Sequence, residues 1–452
     1  MIIFYWCGLM MLLFLSCFLE DPPPPQKHPD VLLVVLDTVR RDALGAYGMS
    51  LDASPHFDQL ISKGMLFEQA WSPASWTWPS HASLFTGVYP WEHGAHFTDP
   101  APGAIALKPD PFFASAPDPT YTTLAEELGE AGYQTHSISA NRLVGPGFPL
   151  VRGFDKALFL DDDSKVATAA IELLNESREK PLFLFVNLMS AHSPWFRNLV
   201  PWVVQHAESL NPENPPKWLE SYLMPQGIGV HPYRSKDDSH MVFRHISGEE
   251  QLLDSQMALL KDLYLGEVHR ADAHLNMILQ AWKGEVVVVT SDHGEYFGEH
   301  GLMDHGRTLY PEVLEVPLFV QGPTVPTGSK NSNPVSTVGI FDLILRFAGV
   351  QEGEPLDVFK RPVYAAAWSD HHWATELGPP FDQGYRLKVD ETIEIMNEYG
   401  ACVAFDILSK KEEKCTSELE LKKLFLYSNT GPSLVADEET MRQLQQLGYV
   451  GE

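Results

Sequence analysis

The stretch Val31–Leu36, VLLVVL, followed directly by Asp37, is the clearest indication of the fold class. It is an unbroken run of branched apolar residues, which is typical of a strand buried on both faces of a parallel sheet. Helical stretches at Thr122–Ala131 and from about Gly248 to Trp282 separate it from similar runs. The alternation predicts an α/β fold, and three further runs predict strands of the same sheet: Leu182–Leu188, Val286–Thr290 and Val316–Val320.

Composition and charge restrict the classes of partner. The chain has 452 residues, is 44% hydrophobic, and carries 60 Asp and Glu against 32 Lys and Arg, for a net charge of -28. The hydrophobic content excludes a wholly disordered or collagen-like chain and supplies ample residues for a core. A surface this acidic repels nucleic acid and anionic lipid, so we expect no nucleic-acid partner. An anionic substrate would need local cations or a metal ion to bind.

The amino-terminal segment predicts export. Residues 1–19 carry no charged side chain, and Glu20-Asp21 and a run of four prolines end the apolar run. This pattern predicts a signal peptide or a short membrane anchor, although the usual preceding Lys or Arg is missing. The segment Phe14–Cys17 loosely resembles a lipobox, which would make Cys17 a lipidated anchor. With residues 20–29 as a stiff proline-rich spacer, we expect a bacterial periplasmic or cell-envelope protein with a membrane tether.

The rest of the chain divides into two predicted parts. Residues 30–365 form the catalytic α/β domain, and residues 366–452 form a smaller α+β subdomain of short strands with a closing helix. Two stretches rich in Pro, Ser, Asp and Asn, 99–120 and 196–247, are interpreted as insertions. Cys402 and Cys415 could pair in an oxidising compartment, but their sequence positions do not establish the geometry.

Metal-ligating side chains follow the predicted strands. Asp37 follows the first strand, Asp292 and His293 follow VVVVT, and His192 lies just beyond LFLFVNL. Open α/β sheets place their sites at the carboxyl ends of strands, so we expect these side chains to converge on a divalent cation. Their oxygen ligands suit Ca²⁺ or Mg²⁺, whereas the imidazole of His293 suits Mn²⁺ or Zn²⁺. Each residue taken singly has a simpler interpretation as a turn, cap or loop residue.

A candidate nucleophile lies in the stretch from Ser75 to Gly87, SWTWPSHASLFTG. Pro79 favours the first turn of a helix, so the Thr77 hydroxyl would lie at the amino end, where free amides attract a sulfate or phosphate ester. Beside a metal ion that lowers its pKa, this hydroxyl becomes a nucleophile. The alternative is that Thr77 is only an N-cap.

These motifs together resemble the sulfatase family. Thr77 to Gly87 resembles the family signature Cys/Ser-x-Pro-Ser-Arg followed by Leu-Thr-Gly, and the Asp37 and Asp292 segments resemble its metal motifs. Other stretches match in the same order along most of 30–450: SPHFDQL at 54–60, YPWEHG at 89–94, GYQT at 132–135, GFD at 153–155, Tyr310 to Leu318 and LGYV at 447–450. The resemblance implies the alkaline phosphatase-like fold, a central mixed sheet sandwiched by helices with a small C-terminal sheet. It also implies a divalent metal, with Ca²⁺ as the usual ion, held by Asp37, Asp292 and His293.

The departures from the family pattern concern the chemistry. The family's nucleophile is a Cys or Ser oxidised to formylglycine, whereas Thr77 would give a ketone. His81 replaces the Arg that orients the nucleophile, and Ser139–Arg142 lacks the family's sulfate-binding Lys and His. Gly306 stands at another expected Lys, where His305 or Arg307 could supply the positive charge.

Three hypotheses follow. In the first, a metal-dependent hydrolase cleaves sulfate or phosphate esters by attack of Thr77, while His81, His192 and His305 neutralise developing charge. Thr77 favours phosphate and the resemblance favours sulfate. The second is an envelope transferase that moves a phospho-alcohol group onto a lipid or glycan, as the anchor and spacer suggest. The third is a non-catalytic protein that keeps the fold. The leaving group, whether glycan, lipid or small alcohol, and the oligomeric state stay open.

Several residues have simpler expected roles. The tryptophans around the nucleophile stretch, Trp71, Trp76, Trp78 and Trp91, are expected to pack rather than to bind substrate. Asp304 and the run Asp161–Asp163 are expected to be solvated surface charges.

Overall fold

The computed structural model of the protein describes residues 28–98, 105–107, 112–193, 195, 201–206, 251–306, 308–367, 385–389, 392–397, 402–406 and 412–413. The predicted leader at 1–19, Arg307, Cys415 and the closing helix lie outside the described residues. Among the helices within these ranges, none is both long enough and apolar enough to cross a membrane.

The secondary structure of the described residues alternates as the sequence predicts. The strands are β1 Val31–Leu36, β2 Met65–Trp71, β3 Ile105–Leu107, β4 Phe112–Ala114, β5 Gln134–Ser139, β6 Lys156–Phe159, β7 Leu182–Leu188, β8 Val286–Thr290, β9 Tyr296–Phe297, β10 Met303–Asp304, β11 Glu315–Gln321, β12 Ser329–Asn331, β13 Val335–Ser336, β14 Val363–Ala367, β15 Tyr385–Val389, β16 Thr392–Asn397, β17 Cys402–Asp406 and β18 Glu412–Glu413. The α-helices are α1 Pro55–Leu60, α2 Thr77–Thr86, α3 Pro90–His93, α4 Leu124–Glu130, α5 Asp163–Asn175, α6 Pro201–His206, α7 Asp254–Ala281, α8 Pro311–Leu314 and α9 Ile340–Phe347.

The central sheet has nine strands and is mixed. Its order is β12-β2-β11-β8-β1-β7-β5-β6, and β13 also pairs with β2. Strand β11 pairs antiparallel with both β8 and β2, whereas the other neighbours pair in parallel. The predicted central mixed sheet is therefore confirmed.

Burial on both faces explains the apolar runs. In β1, Leu32, Val34 and Leu36 point into one hydrophobic core, and the alternate residues Val31, Leu33 and Val35 point into the other. Helices α1, α5 and α7 pack in the first core, and α2, α4 and α9 pack in the second. A central strand with apolar residues at every position is stable only between two such layers, which confirms the predicted sandwich.

A smaller antiparallel sheet follows the central one. It has five strands in the order β14-β15-β16-β17-β18 and shares a third core with the central part, in which Val363 and Leu387 accompany Trp71 and Val313. The predicted insertion at 99–120 contains the paired strands β3 and β4, and the one at 196–247 contains α6.

The parallel pairing of β8, β1, β7 and β5 brings their carboxyl ends to one edge of the sheet. Asp37 continues β1 there, because its N–H donates to the Leu188 carbonyl at the end of β7 at 2.8 Å. Ala140 at the end of β5 donates to the Asn187 carbonyl at 3.1 Å. The side chains that follow these strands therefore meet at this edge.

Candidate active site

Asp37, Asp292 and His293 converge at this edge of the sheet. All three are buried, and one ligand atom from each lies within 4.8 Å of the other two. Asp37 Oδ1 and Asp292 Oδ2 have no hydrogen-bond partner among the described residues. His293 Nδ1 donates to the Gly294 carbonyl at 3.0 Å, which leaves the Nε2 lone pair 3.4 Å from Asp292 Oδ2. Two orphaned carboxylate oxygens and one imidazole lone pair are a donor set that fits a divalent cation.

Neighbouring donors fix which carboxylate oxygens are left for an ion. Asp37 Oδ2 accepts N–H bonds from Asn141 at 2.8 Å and from Asn187 at 3.2 Å. Asp292 Oδ1 accepts from the Thr38 N–H at 3.2 Å, and Thr38 has a φ of 59°, which is unusual for a β-branched residue. Because the second oxygen of each carboxylate is held by these bonds, the orphaned oxygens keep a fixed direction.

The electrostatics of the site also favour a cation. Burial and the neighbouring Asp292 raise the pKa of Asp37 to about 7, and burial raises the pKa of Asp292 above its usual value. Burial lowers the pKa of His293 well below its usual value, so its imidazole is neutral and able to coordinate. A divalent ion would compensate the two carboxylates that burial otherwise penalises.

The raised pKa of Asp37 predicts that Ca²⁺ stabilises the fold to an extent that depends on pH. The pKa of Asp37 is raised from 3.8 when unfolded to about 7 when folded, so the metal-free fold loses stability as pH rises through about 7. If Asp37 helps to hold Ca²⁺, the ion binds its deprotonated carboxylate, and the Ca²⁺ affinity should fall about tenfold per pH unit below this value. At a hundredfold excess over Kd near pH 8, the ion should stabilise the fold by about 2.7 kcal/mol. The check is the rise in Tm on adding Ca²⁺, measured at about pH 6 and at about pH 8. An equal rise at both pH values would contradict the prediction.

Thr77 is the first residue of α2, and Trp76 is its N-cap. Its Oγ1 lies 3.4 Å from His293 Nε2 and 3.2 Å from Asn141 Nδ2, beside the predicted metal ligands. The N-cap alternative is therefore wrong, since Thr77 lies inside the helix. The positive end of the helix dipole and the adjacent cation site favour an anionic group at this hydroxyl.

His81 lies behind Thr77, on the next turn of α2. Its Nδ1 donates to the Thr77 carbonyl at 3.0 Å and is 3.5 Å from Asp292 Oδ2. The ring is fully buried, lies edge-on to Phe185 and packs at a tilt against Phe85. This environment favours a role in holding Thr77 and Asp292 in place over direct contact with an ester.

His305 lies between two buried carboxylates. Its Nδ1 is 3.1 Å from Glu295 Oε1 and 3.0 Å from Asp304 Oδ1. Burial alone would lower the pKa of His305, but Asp304 and Glu295 raise it well above its usual value. The ring packs against His293 with 4.3 Å between centroids, so an imidazolium lies directly beside the predicted metal ligands. The expectation that Asp304 is a solvated surface charge is wrong, because this carboxylate is 5% exposed.

His192 joins the same cluster, with 5.1 Å between its ring centroid and that of His305. Its loop is held by Asp163, whose carboxylate accepts the N–H groups of Met189 and Ser190 at 2.8 Å each. Asp163 is only 2% exposed and thus also contradicts its expected place on the surface, whereas Asp161 and Asp162 are partly exposed. A carboxylate that satisfies two loop N–H groups fixes the position of His192.

The structure thus brings together Asp37, Thr77, His81, His192, Asp292, His293 and His305. Sequence reasoning missed four polar neighbours of the site: Asn141, Asn187, Glu295 and Asp304. Asn187 had a visible signal, since it is the polar residue in the otherwise apolar run LFLFVNL. The tryptophans Trp71 and Trp78 are fully buried, as expected for packing, and Trp76 stacks on Phe97 at 3.9 Å.

Comparisons with known proteins identify the family and the fold of the chain. A sequence model of the family described as Sulfatase matches residues 29–350. The chain is 23% identical over 367 residues to the uncharacterized sulfatase YidJ of Escherichia coli strain K12, covering 73% of this chain and 70% of that protein.

Two solved structures share the fold over nearly the whole chain. One was determined in complex with its substrate D-glucosamine-2-N,6-O-disulfate, with a TM-score of 0.63, 18% identity, and 94% of this chain and 99% of that one covered. The other is the phosphonate monoester hydrolase of Agrobacterium radiobacter, with a TM-score of 0.60, 15% identity, and 92% and 96% covered. At these identities the likeness concerns the alkaline phosphatase-like fold.

Proposed function

The chain belongs to the sulfatase family of sulfuric and phosphoric ester hydrolases, and on that premise we propose that Thr77 is its nucleophile at a divalent-metal site. The position of the Thr77 hydroxyl carries the proposal. Thr77 Oγ1 lies at the amino end of α2, within 3.4 Å of His293 Nε2, beside the orphaned oxygens of Asp37 and Asp292. A hydroxyl in this position is well placed for nucleophilic catalysis.

Asp37, Asp292 and His293 would hold the ion, and the family favours Ca²⁺. When bound, the ion would neutralise the carboxylates, lower the pKa of the neighbouring hydroxyl and attract the ester. His192 and the imidazolium of His305 would neutralise charge that develops on the ester oxygens, and His81 would hold Thr77.

The reaction has two half-reactions. In the first, Oγ1 bonds to phosphorus or sulfur as the bond to the departing alcohol breaks, and the proton that the Thr77 hydroxyl loses ends on that alcohol. In the second, water attacks the same atom and releases Oγ1, which regains its proton. Threonine carries a single oxygen on Cβ, so its ester is released only by this attack of water. Covalent phosphoenzymes are hydrolysed by the same attack of water. This supports phosphate esters over sulfate esters as the substrate.

The test is a panel of esters with the unmodified protein. Aryl sulfate, aryl phosphate, a bis-aryl phosphodiester, an aryl phosphonate and glucosamine 6-sulfate would each be offered with Ca²⁺, Mn²⁺ or Zn²⁺. We expect cleavage of at least one ester, loss of cleavage with a chelator, and restoration by the ion. A phosphorylated Thr77 peptide after rapid acid quenching would support the covalent route. Cleavage that persists after complete chelation, or no cleavage of any ester, would overturn the proposal.

A further inference from the structure

We propose that Asn141 is a catalytic residue: its side-chain amide orients Thr77 Oγ1 for attack and stabilises the negative charge on that oxygen in both half-reactions. The inference rests on the proposed function and adds the Asn141 amide to its catalytic groups. Asn141 lies just beyond β5, at the edge of the sheet where Asp37, Asp292 and His293 meet.

The amide of Asn141 connects the nucleophile to a metal-ligating carboxylate. Its Nδ2 donates to Thr77 Oγ1 at 3.2 Å and to Asp37 Oδ2 at 2.8 Å, which uses both hydrogens of the amide nitrogen. Its Oδ1 accepts the Leu143 N–H at 3.0 Å. A flipped amide would face two acceptors with its oxygen and one donor with its nitrogen, so these bonds fix its orientation.

The backbone around Asn141 is also held in place. Its N–H donates to Ser139 Oγ at 3.0 Å, and the Ser139 hydroxyl donates to the Asn141 carbonyl at 2.9 Å. The side chain is the N-cap of the turn Arg142–Val144 and is 3% exposed. A buried donor held from several sides needs no reorganisation when charge develops next to it, which is the condition for effective electrostatic stabilisation.

Thr77 Oγ1 carries negative charge in both half-reactions, and the Asn141 amide stabilises that charge. Because Oγ1 accepts one hydrogen bond from Asn141, its own proton is directed elsewhere, and a lone pair is left for the ester. In the first half-reaction Oγ1 carries negative charge as it gives up its proton and bonds to phosphorus, while the bond to the departing alcohol breaks and that alcohol gains the proton. In the second, water bonds to phosphorus, the Oγ1–phosphorus bond breaks, and Oγ1 again carries the charge until it is protonated. A hydrogen bond to a charged oxygen is about twice as strong as one to a neutral oxygen, so Asn141 favours both transition states.

Asn187 supplies a matched control. Its Nδ2 donates to the same oxygen, Asp37 Oδ2, at 3.2 Å, whereas Asn141 also reaches Thr77. If Asn141 acted only through Asp37, replacing either asparagine would have similar consequences. If it acts on Thr77, replacing Asn141 should slow the chemical steps at saturating ion far more than replacing Asn187.

The experiment compares Asn141→Ala, Asn187→Ala and the wild type in two measurements, Ca²⁺ binding by calorimetry and turnover of the best ester at saturating Ca²⁺. We expect both variants to lose about 10- to 100-fold in Ca²⁺ affinity, because each removes a donor to a ligand. Asn141→Ala should lose a further 10²- to 10³-fold in kcat, about the loss for one oxyanion donor, with KM little changed.

A second variant covers the risk of misfolding. Asn141→Leu keeps the size of the side chain and removes both donors without placing a further buried carboxyl beside Asp37, and its kcat should fall at least as far while thermal unfolding stays cooperative. Equal kcat in Asn141→Ala and Asn187→Ala at saturating Ca²⁺ would overturn the assignment and leave the proposed function intact. No turnover by the wild type on any ester would overturn both.

Discussion

Replacing Thr77 with alanine is expected to reduce ester hydrolysis by about 10⁴-fold or more, since it removes the proposed nucleophile. Thr77 is buried and makes two side-chain contacts, with His293 and Asn141, so the change removes little packing. The ion-binding groups stay in place, and Ca²⁺ affinity should change far less than kcat. Wild type and variant would be assayed side by side on aryl sulfate, aryl phosphate and phosphodiester.

Thr77→Ser is the matched control because it keeps the hydroxyl and loses one methyl group. It should retain most of the activity. Mass spectrometry should establish that the introduced serine has not been oxidised to formylglycine. The outcome that would contradict a threonine nucleophile is Thr77→Ala with cleavage close to wild type. Water would then attack the ester directly, and Thr77 would have only a structural role.

Asp292→Asn should have the second largest effect and should separate metal binding from folding. Asp292 accepts the Thr38 N–H and points its other oxygen toward His293, so the amide keeps the shape but loses the charge. Loss of Ca²⁺ affinity should exceed the 10- to 100-fold typical of residues that only support a ligand. Hydrolysis at a fixed ion concentration should fall with it.

The same variant should be more stable than wild type without an ion. Burial and Asp292 raise the pKa of Asp37 to about 7, so removing one of two neighbouring buried carboxylates relieves the folded state near neutral pH. Asp357→Asn is the control, because that carboxylate is largely exposed and pairs with Lys360 at 2.8 Å. It should leave both Ca²⁺ affinity and turnover unchanged. Full Ca²⁺ affinity in Asp292→Asn would refute the assigned ligand set.

The sequence alone determined the sheet and the chain positions of the site. The runs VLLVVL, LFLFVNL and VVVVT predict strands that the structure has with the same bounds. A strand with apolar residues on both of its faces is stable only when helices cover both faces. The sequence pattern therefore predicts the location of the strand directly. Strand ends of a parallel sheet share one edge, and this places Asp37 and Asp292 together before any coordinates are known.

The way in which these groups are held is visible only in the three-dimensional structure. Asp304 and Asp163 look like surface carboxylates in the sequence but are buried against His305 and the His192 loop. Likewise Asn141 follows a strand in an ordinary turn, and its two donor bonds to Thr77 and Asp37 span 64 and 104 residues of chain. The spacing of apolar residues along the sequence indicates which face of a helix or strand is buried. A hydrogen-bond partner for a buried polar atom depends on distances between segments that are remote in sequence, and folding alone sets those distances.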